Sequence, residues 1–293
     1  MSDQQLFDEK TRRKLEQLML AASRVRAGAI KGERRSVKRG TSIEFADYRN
    51  YAPGDDLRRL DWNIYARLGR PLTRLYEDEE DLAVHLLVDN SASMNWGDGE
   101  ANKFDFARRL VAGLGYISLT TNDRLMISTL GGEKFGPARG RAYGVALLSY
   151  MVKIKATGRV DINAALKDYA LKSGRPGLTM VVSDLFTPDG YIDGINALLA
   201  KGHEVALIHT LAPEEIEPPL AGDLRLLDVE TGAPQEVSID GGMRDLYMQR
   251  VQAWREDIRQ ECSKRGVHFV AADTGSPWEK VILYDLRRAG VVK

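Results

Sequence analysis

The feature that most constrains the fold is a regular alternation of strand-like and helix-like segments after residue 80. A continuous apolar run of strand length occupies residues 82–88, which is typical of a strand buried on both faces of a sheet. Further strands are predicted at 178–183 and 204–211. Between them, segments such as 103–119 carry apolar residues at helical spacing. Strands joined by helices favour right-handed crossovers, so the pattern predicts a doubly wound, mostly parallel α/β sheet.

The same reasoning places the remaining elements and divides the chain. It predicts strands at 124–130 and 267–272, helices at 143–154, 162–172, 191–200, 245–265 and 277–288, and a hairpin around Thr231 and Gly232. We expect a main domain over residues 81–293, in which the hairpin is an insertion at about 222–241. Residues 1–80 are expected to form an N-terminal helical and irregular region packed on this domain.

Two helices are predicted in the N-terminal region. Residues 10–27 carry apolar side chains at spacings of three and four, which indicates an amphipathic helix. A second helix is predicted at 56–68, with Asp55 as its N-cap and Gly69 ending it in the left-handed conformation. Charged residues of this region, together with Trp62, favour an internal ion-pair network: Arg49, Asp55, Asp56, Arg58, Arg59 and Asp61.

Composition favours a soluble protein without a strongly charged partner. The 42 Lys and Arg balance the 42 Asp and Glu, so overall charge does not indicate nucleic acid or an anionic membrane. The single cysteine, Cys262, excludes an intrachain disulfide framework and a cysteine-based zinc site. The sequence has neither a signal-peptide pattern nor an apolar run long enough to span a bilayer, and we expect a cytoplasmic protein.

Charge is nevertheless unevenly distributed. Residues 10–40 contain eleven Lys or Arg against Glu16 and Glu33, and an acidic run follows at 77–81. One interpretation is that these blocks are solvated faces or pair within the fold, and we favour it. The other is a basic docking face for a partner, with Arg34 and Arg35 as contact residues.

Candidate metal ligands follow two of the predicted strands. The sequence Asp89-Asn90-Ser91-Ala92-Ser93 follows the strand at 82–88, and Asp184 follows the strand at 178–183. Ligands of such sheets bind beyond the carboxyl ends of the strands, and carboxylate and hydroxyl oxygens suit magnesium. The alternative is that these side chains cap a helix, but their position at two strand ends favours a metal site.

Residues 86–94, Leu-Leu-Val-Asp-Asn-Ser-Ala-Ser-Met, resemble the first strand and metal loop of von Willebrand factor A domains. The resemblance implies a metal-ion-dependent adhesion site in which Asp89, Ser91, Ser93 and Asp184 hold Mg²⁺ (or Mn²⁺ or Ca²⁺) and a partner's carboxylate completes the coordination. The third loop of those domains usually reads Gly-Gly-Thr-Asp. Here it reads Gly-Arg-Val-Asp at 158–161, so Val160 replaces the ligating threonine and Thr157 or Asp161 would have to supply the missing oxygen.

A denser resemblance covers residues 24–95. The motifs are Arg-Arg-Ser at 34–36, Gly-Thr-Ser-Ile-Glu-Phe-Ala-Asp-Tyr-Arg at 40–49, and Tyr-Ala-Pro-Gly-Asp-Asp-Leu-Arg-Arg-Leu-Asp-Trp at 51–62. They are similar to the signature of domain-of-unknown-function family 58. Members of that family are often encoded beside MoxR-type AAA+ ATPases, which implies a role as partner or adaptor of such a motor and its client protein.

The sequence therefore predicts a non-enzymatic, divalent-metal-dependent interaction or adaptor protein that works with a MoxR-type ATPase in protein assembly or maturation. Asn90, inside the metal motif, is a further predicted partner contact. One alternative is a metal-dependent phosphoester hydrolase that uses Asp89, Asp161 and Asp184, although no nucleophile–base pair or phosphate-binding loop accompanies them. A second alternative is nucleic-acid binding through the basic segment at 10–39.

Overall fold

The computed structural model describes residues 6–22, 45–53, 55, 57–76, 82–156, 158–219, 222–227, 234–239 and 241–293. The chain forms two compact units, one of Gly32–Asp81 and one of Met1–Lys31 with Leu82–Lys293. The predicted contact residues Arg34 and Arg35, the candidate ligand Thr157, the acidic run at 77–81 and the hairpin turn at Thr231 and Gly232 lie outside the described residues.

The secondary structure of the described residues has the following bounds. The strands are β1 (Phe45–Asn50), β2 (Leu72–Tyr76), β3 (Ala83–Val88), β4 (Arg124–Thr129), β5 (Lys134–Ala138), β6 (Leu178–Ser183), β7 (Glu204–Leu211), β8 (Gly222–Leu227), β9 (Pro234–Ile239) and β10 (His268–Asp273). The helices are α1 (Glu9–Leu15), α2 (Trp62–Leu68), α3 (Lys103–Thr120), α4 (Gly144–Lys153), α5 (Ile162–Lys172), α6 (Ile192–Ala200), α7 (Pro213–Ile216), α8 (Gly241–Arg265) and α9 (Trp278–Lys280). A π-helical segment, Val281–Leu286, continues α9.

The larger unit is built on a mostly parallel sheet with the strand order β10-β7-β6-β3-β4-β5. Neighbouring strands from β10 to β4 are parallel, and β5 runs antiparallel to β4 at the edge. The predicted mixed α/β fold with a mostly parallel central sheet is therefore confirmed. The sequence did not predict β5, because its Gly136 and Pro137 are typical of turns and are tolerated in strands mainly at an edge.

Apolar clusters cover both faces of this sheet. Along β3, Leu86 packs into one cluster with Leu110 of α3, and Leu87 packs into another with Leu166 of α5. Because successive side chains of a strand point to opposite faces, each face of β3 is covered. Burial on both faces explains why the central strands read as continuous apolar runs.

In the smaller unit, β1 and β2 form an antiparallel pair and the predicted N-cap is wrong. Asp61 caps α2, since its Oδ1 accepts hydrogen bonds from the backbone N–H groups of Asn63 and Ile64. Asp55 instead accepts from the N–H of Ala52 and pairs with Arg49 at 2.8 Å, so it closes a turn. Gly69 ends α2 in the left-handed conformation with φ 63°, as predicted.

No helix in the described part of the chain combines the length and apolar character that crossing a bilayer requires.

Two buried histidines, His85 in β3 and His203 just before β7, are neighbours near the amino ends of these strands. Nδ1 of His85 is 2.7 Å from the Tyr169 hydroxyl and its Nε2 is 3.1 Å from the Arg175 carbonyl oxygen. The ring of His203 lies 4.7 Å from that of His85, and its Nδ1 is 2.8 Å from Thr179 Oγ1. Burial, together with the neighbouring His203, lowers the pKa of His85 to about 3, and burial lowers the pKa of His203 to about 4.

Replacing His85 by glutamine is expected to reduce the acid sensitivity of the fold. Because the folded pKa of His85 lies below the ordinary 6.5, the unfolded chain takes up the proton, and stability falls as the pH drops from 6.5 toward about 3. Between pH 6.5 and 4.5 the wild type should lose about 2 kcal/mol more free energy of unfolding than the variant. Urea unfolding at both pH values measures this difference.

The variant Tyr169→Phe is the control, since it removes a hydrogen-bond partner of His85 and keeps both histidines. It should retain the pH dependence of the wild type. Equal pH dependence of the wild type and His85→Gln would contradict the prediction.

Candidate functional site

Three loops meet at the carboxyl ends of β3 and β6. Backbone hydrogen bonds connect them: the N–H of Asp89 donates to the Val182 carbonyl, at 2.9 Å, and the N–H of Ala92 donates to the Gly158 carbonyl, at 3.1 Å. The loop after β3 is therefore held between the end of β6 and the loop that precedes α5. The predicted convergence of separate strand ends is present in the fold.

The first loop brings Asp89 and the two serines together. Asp89 Oδ1 accepts from the Ser91 N–H at 2.9 Å, and its Oδ2 accepts from the Ser183 hydroxyl at 2.6 Å. Ser91 Oγ lies 3.0 Å from Ser93 Oγ. These side chains do not cap the following α-helix, because α3 begins only at Lys103 and its N-cap is Asn102.

The Asp89 carboxylate is buried and has a second carboxylate, that of Asp184, nearby. Burial raises its pKa to about 6, and the neighbouring Asp184 carboxylate acts in the same direction. Hydrogen bonds from Ser183 and Ser91 oppose this rise. Additional positive charge beside Asp89 would stabilise its ionised form.

Asp184 lies at the end of β6 and is engaged by a lysine that the sequence prediction missed. Its Oδ1 accepts from the Phe186 N–H at 3.1 Å, and its Oδ2 accepts from Lys103 Nζ at 2.6 Å. Lys103 Nζ also donates to Glu215 Oε1 at 2.6 Å. Both Lys103 and Asp184 are 0% exposed, so one buried ammonium connects two carboxylates.

A signal for Lys103 was present in the sequence. It stands three, four and seven residues before Phe106, Ala107 and Leu110, all buried on α3. Residues at these spacings share a helix face, so a lysine is placed on an apolar face, where an unpaired charge is costly. Its partners, 81 and 112 residues away, have no local signal.

The second carboxylate oxygen of Glu215 also accepts a hydrogen bond. Its Oε2 accepts from the Ala212 N–H at 2.8 Å, at the start of α7. Burial raises the pKa of Glu215, and the charge of Lys103 opposes this effect. The ammonium of Lys103 thus joins the first turn of α3 to the chain segments that follow β6 and β7.

The remaining predicted site residues have other contacts. Asn90 is buried, with its Oδ1 accepting from the Gly131 N–H at 2.8 Å and its Nδ2 donating to the Lys155 carbonyl at 3.3 Å. Asp161 is exposed and caps α5, since its Oδ1 accepts from the Ala164 N–H at 2.9 Å. Val160 packs against the second apolar cluster.

The donor set fits a divalent ion in part. Asp89, Ser91 and Ser93 supply hard oxygens of the kind that Mg²⁺ prefers. Asp184 Oδ2 is occupied by Lys103, and a valine side chain at position 160 has no oxygen to offer. Among the described residues, no group of three or more His, Cys, Asp and Glu side chains is arranged to hold a metal, so the two hydroxyls are essential to the proposed ligand set.

The side chains of this set are buried. Asp89 is 0%, Ser91 3% and Ser93 8% exposed. Among the three, Ser93 is therefore the most accessible.

The fold is similar to solved structures at low sequence identity. The conserved hypothetical protein BatB from Bacteroides thetaiotaomicron is 17% identical with a TM-score of 0.45, over 71% of this chain and 98% of that chain. An aerotolerance-related membrane protein from Bacteroides fragilis is 16% identical with a TM-score of 0.43, over 68% of this chain and 96% of that chain.

Sequence relatives cover nearly the whole chain. The proteins Mb1516 of Mycobacterium bovis and Rv1480 of Mycobacterium tuberculosis, both described as uncharacterized, are each 30% identical over 277 residues, which are 92% of this chain and 87% of each relative. The family described as "Protein of unknown function DUF58" matches residues 47–257. The chain belongs to this family.

Proposed function

We propose that this protein is a non-enzymatic interaction module of the von Willebrand factor A type, whose site at Asp89, Ser91 and Ser93 holds a divalent ion and recognises an acidic side chain of a partner. The observation that carries the proposal is the serine pair, with hydroxyls 3.0 Å apart beside the buried Asp89. A position next to all three residues offers two neutral oxygens and one carboxylate to a hard cation.

The ion supplies the positive charge that binds the partner's carboxylate. The residues of the chain position it: Ser183 and the Ser91 N–H orient the Asp89 carboxylate, and Asn90 ties the loop to its neighbours. Because these contacts hold the loop and the Asp89 carboxylate in position, little reorganisation is needed on binding. Mg²⁺ is the proposed ion, with Mn²⁺ or Ca²⁺ as substitutes.

The proposed partner is a MoxR-type AAA+ ATPase, with a client protein as a second partner, in the cytoplasm. The basis is the similarity of residues 24–95 to a family whose members are often encoded beside such ATPases. The smaller unit, whose sequence range includes the basic residues Arg34 and Arg35, is a second proposed docking surface.

The non-enzymatic proposal is favoured over the hydrolase for a chemical reason. Of its three candidate carboxylates, Asp161 caps α5 and Asp184 is paired with Lys103. Burial lowers the pKa of His209, whose Nε2 donates to the Asp184 carbonyl at 3.0 Å, to about 3. Nε2 of His209 is therefore used to hold the backbone at Asp184 and does not serve as a base for hydrolysis.

Replacing Asp89 by alanine is expected to reduce capture of the proposed partner, a MoxR-type ATPase of the same organism, by at least about tenfold. The reason is the loss of the one carboxylate in the proposed ligand set. Pull-down with the purified ATPase in Mg²⁺ measures capture, and a chelator should reduce capture by the wild type to the level of the variant.

Asp161→Ala is the matched control, because it removes an exposed carboxylate from the neighbouring loop; it should keep full capture. Thermal unfolding of both variants verifies that they are folded. Equal capture by the wild type and Asp89→Ala, with and without chelator, would overturn the proposed function.

A further inference from the structure

We infer that Lys103 is the built-in counter-ion of Asp184 and keeps this carboxylate out of divalent-ion coordination, leaving Asp89, Ser91 and Ser93, among the described residues, to hold the ion. The inference rests on the proposed function and deepens it. It assigns to Lys103 the role of setting the metal affinity of the site.

The geometry commits the ammonium to its position. Lys103 Nζ lies 2.6 Å from Asp184 Oδ2, 2.6 Å from Glu215 Oε1 and 4.9 Å from the centre of the Phe186 ring. The carboxylates, and the face of the aromatic ring, favour a cation at this point. Because Lys103 is fully buried and paired with two carboxylates, its ammonium occupies one side of Asp184 in the folded chain.

The second oxygen of Asp184 is also in use. Its Oδ1 accepts from the Phe186 N–H, and the oxygens of Asp89 likewise accept from neutral donors, so the ammonium is what distinguishes Asp184 from Asp89. A divalent ion at Oδ2 would have to compete with the ammonium that lies 2.6 Å from that oxygen, and two cations bound to one buried carboxylate repel each other strongly. Asp184 therefore contributes its charge from a distance and does not ligate.

Charge counting shows what the removal of Lys103 would do. Asp89, Asp184 and Glu215 carry three negative charges when ionised, and Lys103 offsets one of them. Without the ammonium, the buried Asp184 and the partly buried Glu215 lose the cation that they share. A divalent ion then gains a further charged ligand, and the binding site changes from weak to strong.

The test is titration of the protein with Mn²⁺ alone, with free Mn²⁺ followed by electron paramagnetic resonance. Lys103→Gln keeps a hydrogen-bond donor and removes the charge; it should bind Mn²⁺ at least about tenfold more tightly than the wild type. Adding Asp184→Asn should abolish this gain. Unchanged affinity in folded Lys103→Gln, or a gain that persists in Lys103→Gln/Asp184→Asn, would overturn the inference.

A second comparison applies if Lys103→Gln does not fold. Lys103→Gln/Glu215→Gln has the same net charge as the wild type, because one positive and one negative group are removed together. It should bind Mn²⁺ more tightly than Glu215→Gln, which retains the ammonium, and equal affinities would refute the role of Lys103. Failure of the proposed function is detected by the separate capture experiment. There, capture of the ATPase by the wild type would be unchanged by chelator, and Asp89→Ala would capture as much as the wild type.

Discussion

The substitution Gly177→Ala is expected to lower the free energy of unfolding by about 3 kcal/mol or more relative to the wild type. A Cβ at position 177 would lie 2.0 Å from the carbonyl oxygen of Ala83 and 2.7 Å from its carbonyl carbon. These are backbone atoms at the start of β3, so neither strand can relieve the overlap by turning a side chain. The Gly177 carbonyl also accepts from the Glu204 N–H, which ties it to β7.

Gly174→Ala is the matched control for this substitution. It lies three residues earlier, and an added Cβ there would meet no atom within 4 Å in the described part of the chain. Its free energy of unfolding should stay within about 1 kcal/mol of the wild type. Urea unfolding of both variants measures the difference, and similar losses in the two would disprove the role assigned to close strand packing at Gly177.

The second large effect is expected for Lys103→Met, which preserves the apolar stem of the side chain and removes the ammonium. The fully buried Asp184 and the partly buried Glu215 would remain without their shared cation, and breaking a buried ion pair on one side costs about 3–5 kcal/mol. We expect a loss of this size in the free energy of unfolding at neutral pH. Chemical denaturation of the folded variant measures it.

Lys167→Met provides the comparison, because the ion pair of Lys167 with Asp193 is exposed, with side chains 47% and 65% accessible. Exposed pairs contribute about 1 kcal/mol or less, and the loss should be correspondingly small. A Lys103→Met variant as stable as Lys167→Met would contradict the buried ion network.

Much of the fold could be predicted from the sequence because its central strands are buried on both faces. The bounds of β6, β7 and α5 agree with the predicted segments, since continuous apolar runs and helical spacing are local signals. The pairing of β1 with β2 was not predicted, because it joins residues about 25 positions apart along a polar stretch. The N-cap at Asp61 was missed because Asp55 offers the same local chemistry.

The candidate site was predictable to the extent that it depends on strand ends. Asp89 and Asp184 meet because parallel strands end at one edge, and the adjacent serines follow directly from the chain order. The pairing of Lys103 with Asp184 depends on tertiary packing between α3 and the end of β6. The sequence motif at 89–93 therefore could not predict the positive charge that Lys103 brings to the site.

The edge strand β5 has a consequence for the behaviour of the protein in concentrated solution. Strands of other molecules can add to an exposed sheet edge, and proline and lysine at the edge discourage such pairing. Lys134, Gly136 and Pro137 occupy this strand, and Pro137 has no N–H to offer an incoming strand. We expect this edge of the sheet to resist pairing with strands of other molecules. Association between molecules of this protein should therefore use surfaces other than the β5 edge.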